Sequence, residues 1–165
     1  MPIQLLRVDE RLIHGQVVVG WGNVLHPDHI VVIDDDLAES EWEQELYTLG
    51  LPPHISASFL TVVAARDRIG EWDQGRRRII ILTRDIATMA RIAEDRVLQG
   101  RDVNIGGIHY APGRTEVLSY LYLNDAERDA LGRLVAEGTR TAAQDLPGGR
   151  RISVERLLAD GRSEE

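Results

Sequence analysis

The sequence contains no cysteine and no lysine, and each absence excludes a class of chemistry. Without cysteine the chain has no disulfide, no zinc–thiolate site and no thiol nucleophile. All nineteen basic residues are arginine. The chain therefore lacks the Walker-type phosphate lysine, the Schiff-base lysine and the lysine that receiver domains place beside their phosphoaspartate.

Long apolar runs and net positive charge are also missing. No run approaches the roughly 20 residues that cross a bilayer, and the amino terminus lacks a basic segment followed by an apolar signal core. The formal net charge of −8 disfavours nucleic acid as a partner. We expect a cytoplasmic protein.

Strand and helix patterns alternate along most of the chain. Its 165 residues, 43% of them hydrophobic, predict one domain over residues 1–165. Strands are predicted at 3–8, 29–33, 55–60, 79–82, 103–105, 117–123 and 139–143. Short connections with helical periodicity between them are typical of an α/β fold. We predict one open, mostly parallel twisted sheet of about seven strands, with helices on both faces.

Two regions carry more detailed predictions. Ala38, Trp42, Leu46 and Leu49 recur at helical spacing, which predicts a helix through Leu49 that is capped by residues 36 and 39. In the last third no helix separates the sixth strand from the fifth. These two strands are therefore predicted to pair antiparallel through the turn at residues 111–114.

A second capping pair is predicted after the sixth strand. Asn124 and Glu127 have the spacing of a capping box, in which two side chains satisfy the first free amides of a helix. This pair would open a helix that ends at Gly138.

The stretch from Arg7 to Gln16 joins the first strand to the first helix and places His14 at the turn. In open α/β sheets, anions and reacting groups bind outside the carboxyl ends of strands. A neutral imidazole is a nucleophile near pH 7, and two arginines add fixed positive charge. Asp9 is the candidate to orient the imidazole or hold an arginine. The alternative is a capping or packing histidine beside two solvated arginines.

The run Arg-Val-Asp-Glu-Arg-Leu-Ile-His-Gly-Gln, with Val17 and Trp21, resembles the amino-terminal signature of one protein family. The family comprises the IIB subunits of the mannose/fructose/sorbose type in the bacterial sugar phosphotransferase system. Further likeness follows in the family's order: Ile33-Asp34-Asp35 with Ala38, Asn104-Ile105-Gly106-Gly107, and Arg140 with Pro147. These blocks span nearly the whole chain.

The resemblance implies a phosphoryl relay. In that family the histidine of the first loop accepts a phosphoryl group from phosphohistidine on IIA and passes it to a sugar entering through IIC and IID. The matching residue here is His14, in a component of a phosphohistidine–sugar phosphotransferase. Arg11 and Arg7 are expected to neutralise the phosphoryl oxygens, with Gly15 and Gln16 binding phosphate. No cofactor and no metal are expected, and the sugar and a homodimeric state stay open.

Residues at two other strand ends are further candidates. Thr83 and Arg84 follow a strand that usually neighbours the first, so they are candidate phosphate contacts. The turn of Asn104, Gly106 and Gly107 resembles one that the family places near the active loop. His109 follows that turn, as a candidate second proton or phosphate contact.

The remaining conspicuous residues have simpler interpretations. The acidic cluster at residues 34–36 has the residue types of a magnesium site, but helix capping is the favoured interpretation. The other histidines are interpreted as ordinary surface residues: His26, His29 and His54.

Two alternative functions use the same residues. One is a regulatory phosphoacceptor that takes phosphate from IIA and signals it to another protein without sugar transport. The other is an independent enzyme such as a histidine phosphatase. Those enzymes place the histidine directly after an arginine, whereas Leu12 and Ile13 intervene here after Arg11.

Overall fold

The computed structural model describes residues 2–160. Within that range the strands are β1 (Ile3–Val8), β2 (His29–Ile33), β3 (Ser56–Leu60), β4 (Ile79–Thr83), β5 (Asp102–Ile105), β6 (Thr115–Leu118), β7 (Leu121–Leu123), β8 (Arg140–Ala143) and β9 (Ile152–Ser153). The α-helices are α1 (Gly22–Leu25), α2 (Glu41–Leu49), α3 (Val62–Gln74), α4 (Ile86–Ala93), α5 (Asp125–Ala136) and α6 (Val154–Asp160). A π-helical segment, Gln16–Trp21, runs directly into α1, and single 3-10 turns occupy Leu37–Glu39 and Glu94–Arg96.

Seven strands form one sheet in the order β3-β2-β4-β1-β5-β8-β9. All neighbours pair in parallel except β9, which pairs antiparallel to β8 at one edge. Because parallel strands need crossover connections, the helices cover the two faces of the sheet. The predicted α/β class and the mostly parallel seven-stranded sheet are confirmed.

Alternate residues of the central strands enter two separate apolar cores. In β4, Ile79 and Ile81 belong to one core, while Ile80 and Leu82 belong to the other. The first core also contains the buried faces of α3, α4 and α5. The second contains Leu12 from the first loop and Val17 from the π-helical segment, and Tyr47 of α2 packs against it. The first loop and α2 therefore cover the same face of the sheet.

The predicted pairing of β5 with the strand region at 117–123 is wrong. β5 lies between β1 and β8 and pairs in parallel with both, so neither of its edges is free. The later region instead forms a separate antiparallel hairpin of β6 and β7. The turn before the hairpin is present, since the Arg114 amide donates to the Ala111 carbonyl at 3.0 Å.

The two predicted capping pairs have opposite outcomes. Asn124 and Glu127 form the capping box of α5, as expected. Asp36 makes no side-chain cap, and α2 begins only at Glu41, after Ser40. The physical reason is that the chain first makes a separate 3-10 turn.

Side chains of the acidic cluster hold the starts of neighbouring helical turns. The Leu37 amide donates to Asp34 Oδ1 at 2.9 Å, and the Val62 amide donates to Asp35 Oδ1 at 2.9 Å. Both carboxylates also pair with arginines, Asp34 with Arg84 and Asp35 with an arginine of α4. Capping, the favoured interpretation of this cluster, agrees with these contacts.

One histidine interpreted as a surface residue is buried. His29, the first residue of β2, is 5% exposed, and its ring nitrogens lie 2.6 and 2.7 Å from the hydroxyls of Ser56 and Ser58. Both serines belong to the adjacent strand β3. Strand pairing thus supplies polar partners that no local sequence pattern indicates.

Candidate functional site

The loop that follows β1 is fixed on both sides by the ends of neighbouring strands. The Asp9 amide donates to the Thr83 carbonyl and the Glu10 amide to the Gly107 carbonyl, both at 2.9 Å. The Leu12 amide then donates back to the Asp9 carbonyl at 3.0 Å. Leu12 is buried and has a φ of +57°, a left-handed conformation that is uncommon for leucine. Tertiary contacts therefore hold a tight turn immediately before His14.

His14 lies where this loop enters the π-helical segment. Its carbonyl accepts hydrogen bonds from the amides of Val17 and Val18, at 3.0 and 2.9 Å. Its buried ring atom Nε2 lies 3.2 Å from Asp9 Oδ2. Its other ring nitrogen, Nδ1, faces the Gln16 amide at 3.4 Å. An ionised Asp9 favours the tautomer with the proton on Nε2, and that tautomer leaves a lone pair on Nδ1.

Asp9 is fully buried and is the shared partner of three side chains. Its Oδ2 lies 3.1 Å from Nη2 of Arg7, and its Oδ1 accepts the Arg11 amide at 3.1 Å. Burial alone raises the pKa of Asp9, but the His14 imidazole and the Arg7 guanidinium outweigh that effect and hold the pKa below its ordinary value. The carboxylate is therefore a fixed negative charge behind the imidazole.

Arg7 is also fully buried. Its Nη1 donates to Asn104 Oδ1 and, at 2.8 Å, to the Gln144 carbonyl. Its Nη2 donates to Asp9 and, at 3.0 Å, to the Asp145 carbonyl. The terminal nitrogens of Arg7 are bonded within the protein, so this geometry does not favour its predicted contact with phosphoryl oxygens. Here Arg7 positions Asp9.

The turn after β5 is shaped by Arg7. A Cβ atom at Gly106 would overlap the guanidinium of Arg7, so glycine is required there. The Asn104 side chain also faces Arg7, and the Gly107 carbonyl holds the Glu10 amide. Asn104, Gly106 and Gly107 thus stabilise the loop through contacts with Arg7 and Glu10.

Arg11 is the arginine that reaches solvent beside the histidine. Its side chain is 42% exposed, its Nε lies 3.7 Å from Asp9 Oδ1, and its Nη2 donates to Gln16 Oε1 at 2.7 Å. Within residues 2–160, the amides of Ile13 and His14 have no hydrogen-bond partner. Gly15 is exposed, with open space where a side chain would lie. The loop that carries His14 therefore offers a guanidinium and free amides as hydrogen-bond donors.

Thr83 and Arg84 lie at the predicted edge but face other partners. The buried Thr83 hydroxyl donates to the Asp85 carbonyl at 2.9 Å, so it is not available to a phosphate. Arg84 Nε donates to Asp34 Oδ2 at 2.6 Å. Thr83 contributes to the site through its carbonyl, which holds the loop.

His109 belongs to an ion-pair cluster that sequence reasoning missed. Its amide and its Nδ1 lie 2.8 and 2.9 Å from Glu10 Oε2, and Arg114 Nη1 lies 3.5 Å from Glu10 Oε1. Partial burial alone raises the pKa of Glu10, but the bonds from His109 and the charge of Arg114 lower it overall. The only signal in the sequence is that Glu10 directly follows Asp9.

Other missed contributions come from Trp21 and the chain after β8. The Arg7 guanidinium lies 5.3 Å from the centre of the Trp21 ring, and Trp21 Nε1 donates to the Asp145 carbonyl at 3.2 Å. Backbone carbonyls carry no side-chain signature, so sequence patterns do not indicate them.

Two searches of the described residues are negative. Within residues 2–160, no group of three histidine, aspartate or glutamate side chains is arranged to hold a metal ion. In the same range, no helix has the length and apolar character needed to cross a membrane.

Known proteins resemble the chain over nearly its whole length. Residues 3–165 match the family model of the PTS system sorbose subfamily IIB component. The N-acetylgalactosamine-specific phosphotransferase enzyme IIB component 1 of Escherichia coli is 29% identical over 147 residues, which cover 88% of this chain and 92% of that protein.

Solved structures agree with that match. The crystal structure of the PTS system N-acetylgalactosamine-specific IIB component 1 from Escherichia coli has a TM-score of 0.81 at 27% identity, covering 92% of this chain and 98% of the other. The IIBSor domain of the sorbose permease from Klebsiella pneumoniae shares the fold, with a TM-score of 0.85 at 20% identity over 99% of both chains. The chain therefore belongs to the sorbose subfamily of PTS system IIB components.

Proposed function

We propose that His14 accepts a phosphoryl group on Nδ1 from phosphohistidine of IIA and passes it to a sugar entering through the membrane subunits IIC and IID. The observation that carries this proposal is the placement of Nε2, 3.2 Å from the buried carboxylate of Asp9. A proton fixed on Nε2 leaves Nδ1 as the nucleophile on the loop side. Family membership supports the phosphotransferase role.

In the first step the Nδ1 lone pair attacks phosphorus and forms the new N–P bond. The N–P bond to the donor imidazole breaks, and its electron pair returns to the donor nitrogen. The Nε2 proton stays on His14, so positive charge develops on its ring as the phosphoryl group arrives. Asp9 is already ionised beside Nε2 and stabilises that charge without reorganisation.

The phosphoryl oxygens need donors on the solvent side. Arg11 supplies a guanidinium, and the free amides of Ile13 and His14 supply N–H groups. Phosphoryl transfer depends mainly on positioning and charge stabilisation, which this arrangement provides. The Gln16 amide, which faces Nδ1 in the free protein, is a further donor once phosphate occupies that position.

The relay also defines where the protein works. IIA and the membrane subunits must reach the same histidine in turn, so His14 must face the cytoplasm near the permease. The second step forms a bond from phosphorus to a sugar hydroxyl oxygen, returns the electron pair to Nδ1 and releases the hydroxyl proton. Because histidine-to-histidine transfer is nearly balanced in free energy, the site must not bind the phosphoryl group too tightly.

The test is phosphate transfer from phosphoenolpyruvate through the purified general PTS proteins and a cognate IIA. We expect wild type to gain an acid-labile phosphate that His14→Ala does not gain. His109→Ala is the matched control, because His109 is exposed and lies in the adjoining cluster; it should be labelled like wild type. Phosphorus NMR of the labelled protein should identify an Nδ1-phosphohistidine.

Each other result has a definite meaning. An unlabelled wild-type protein in the presence of charged IIA would overturn the relay, and an Nε2 phosphate would overturn the proposed role of Asp9. Sugar uptake by cells carrying IIC and IID then separates transport from signalling. Labelling without His14-dependent uptake would favour the regulatory phosphoacceptor.

A further inference from the structure

Helix α2 carries an exposed apolar stripe that the proposed reaction does not use. Trp42, Leu46 and Leu49 are 65%, 59% and 81% exposed, and no residue of the helix is buried. Their spacing of four and then three residues places them along one side of the helix. Three large apolar side chains exposed in a row are typical of an interaction surface, whereas single exposed ones are ordinary.

Grooves border the stripe on both sides. One, of about 370 Å³, lies between the helix and Arg84 and is lined by Trp42, Leu46 and Tyr47. Another, of about 630 Å³, lies between the helix and edge strand β3, where Phe59 lines it. A side chain of a partner can therefore insert into a groove beside the stripe. The surface thus provides shape complementarity as well as apolar contact area.

The charged residues of α2 are all acidic, and Arg84, which lines a groove beside the stripe, is paired with Asp34. α2 contains Glu41, Glu43 and Glu45, and none of its nine residues is basic. Glu41 and Glu45 are exposed. An apolar stripe flanked by carboxylates complements a segment that carries apolar side chains together with lysine or arginine.

The stripe lies near His14 without including it. α2 and the loop before His14 pack over the same core, which contains Leu12 and Ile13. Arg84, which lines one groove, directly follows Thr83, whose carbonyl holds the Asp9 amide. The stripe and the loop before His14 therefore cover the same face of the sheet, and the stripe does not include the histidine.

We propose that the stripe of α2 docks a basic, amphipathic cytoplasmic segment of the membrane subunits IIC and IID. This inference rests on the proposed function. Cytoplasmic loops of membrane proteins carry an excess of lysine and arginine, which is the chemistry that the acidic flanks complement. IIA must bind at His14 and then dissociate. A binding surface that does not include His14, such as the stripe, therefore suits a partner that remains bound, namely the membrane subunits.

The acidic residues of α2 also disfavour two other binding partners for the stripe. A second copy of this chain would bring α2 against α2 and oppose carboxylates with carboxylates. A bare lipid surface is anionic and would repel the glutamates in the same way. The membrane subunits combine proximity to the membrane with the required positive charge.

The experiment measures binding of the 165-residue chain to nanodiscs that contain a purified cognate IIC–IID pair. One variant removes the stripe, Trp42→Ala with Leu46→Ala and Leu49→Ala. A second variant reverses charge, Glu41→Arg with Glu45→Arg. The matched controls are Val63→Ala with Val135→Ala for apolar loss, and Asp67→Arg with Asp129→Arg for charge reversal. These control residues are exposed on α3 and α5, on the other face of the sheet.

We expect both stripe variants to bind at least about tenfold more weakly than wild type, while both controls bind normally. Phosphate transfer from IIA to His14 in solution should be unchanged in all four. His14→Ala should bind the discs like wild type. Because binding and labelling are separate readouts, an unlabelled wild-type protein with stripe-dependent binding would overturn the phosphoryl relay alone.

Five results would overturn the docking proposal. Wild type that does not bind the discs, or stripe variants that bind like wild type, would remove its basis. Equal binding to empty anionic nanodiscs would assign the stripe to lipid. Slower transfer from IIA in the stripe variants would assign it to IIA, and loss of a wild-type dimer in sedimentation velocity would assign it to a second copy.

Discussion

Asp9 is the residue on which two arginines and the candidate nucleophile converge. Its carboxylate has no exposure to solvent, so each of its charge contacts acts in an environment of low dielectric. Arg7 fixes it from inside the protein, and Arg11 approaches it from solvent. The two arginines are four residues apart in sequence and carry the same charge, but burial gives them different roles.

Arg11→Ala should slow phosphoryl transfer far more than it destabilises the fold. We expect a rate loss of about 100-fold, because the variant lacks a charge that stabilises the transferring group. The half-exposed side chain should change the free energy of unfolding by less than about 1 kcal/mol. Rapid-quench transfer from labelled IIA and urea denaturation measure the two quantities.

Arg91→Ala is the matched control for Arg11. Arg91 is also half exposed and also pairs with an aspartate, Asp35, away from the loop. Its loss should leave the transfer rate unchanged. If Arg11→Ala unfolds the protein while the folded fraction still accepts phosphate at the wild-type rate, the catalytic role of Arg11 is wrong.

Gly106→Ala should destabilise the protein by about 2–3 kcal/mol, because overpacking at this position has no simple relief. The added methyl group would meet Arg7, whose guanidinium is held by four acceptors. Gly132→Ala in α5 is the control, since its Cβ would contact nothing within 4 Å and alanine favours helix by about 1 kcal/mol. Urea denaturation of both variants checks the sign of each effect, and an equal outcome for the two would contradict the steric argument.

At the scale of elements, sequence patterns correctly predicted a structure that depends on residues close together in the chain. The capping box of α5 depends on two residues three positions apart, so Asn124 and Glu127 sufficed to predict it. The partners of β5 lie far away in sequence, at β1 and β8, and its pairing was predicted wrongly. Trp42 and Leu46 lie on a helix, as their spacing predicted, but both are exposed. Helical spacing alone does not determine whether an apolar side of a helix faces a core or solvent.

The same limit applies to the site. His14 and its loop could be predicted because a contiguous sequence run carries the resemblance. The burial of Arg7 could not, because it depends on Asn104 and on the carbonyls of Gln144 and Asp145, which the sheet order brings together. Sequence indicated the candidate nucleophile, and tertiary structure separated the half-exposed Arg11 from the buried Arg7.

The pairing of β2 with β3 should make stability depend on pH through His29. Burial first, and then the charges of Arg77 and Arg68, lower the pKa of His29 to about 4 from 6.5. Since the folded pKa lies below the unfolded value, the unfolded state binds the proton more readily. Stability is therefore retained above pH 6.5 and is lost as the pH falls toward 4, by up to about 3 kcal/mol.

Urea denaturation between pH 4 and 7.5 measures this loss, with His29→Gln and His54→Gln as the comparison. The glutamine at position 29 removes the titrating group, so that variant should lose less stability over the interval than wild type. His54 is exposed, and its variant should follow the wild-type curve. Parallel curves for wild type and His29→Gln would show that other groups cause the acid sensitivity.

At the scale of the whole molecule, Arg7 joins the loop after its own strand to three distant parts of the chain. It holds the loop after β1 through Asp9, the end of β5 through Asn104, the chain after β8 through two carbonyls, and the π-helical segment through the ring of Trp21. The net charge of −8 does not oppose this arrangement, since charges beyond about 8 Å are largely screened. Only nearby charges therefore act strongly on the site, although residues from distant parts of the chain build it.

Arg7→Met should lower the free energy of unfolding by about 3–5 kcal/mol, because it leaves the buried Asp9 carboxylate without its main partner. For a chain of this size the melting temperature should fall by roughly 10 °C. The double variant Arg7→Met with Asp9→Asn removes both charges and should recover part of that loss. Calorimetry of the two single variants and the double variant measures the coupling, and strictly additive losses would show that Arg7 and Asp9 do not stabilise each other across the sheet edge.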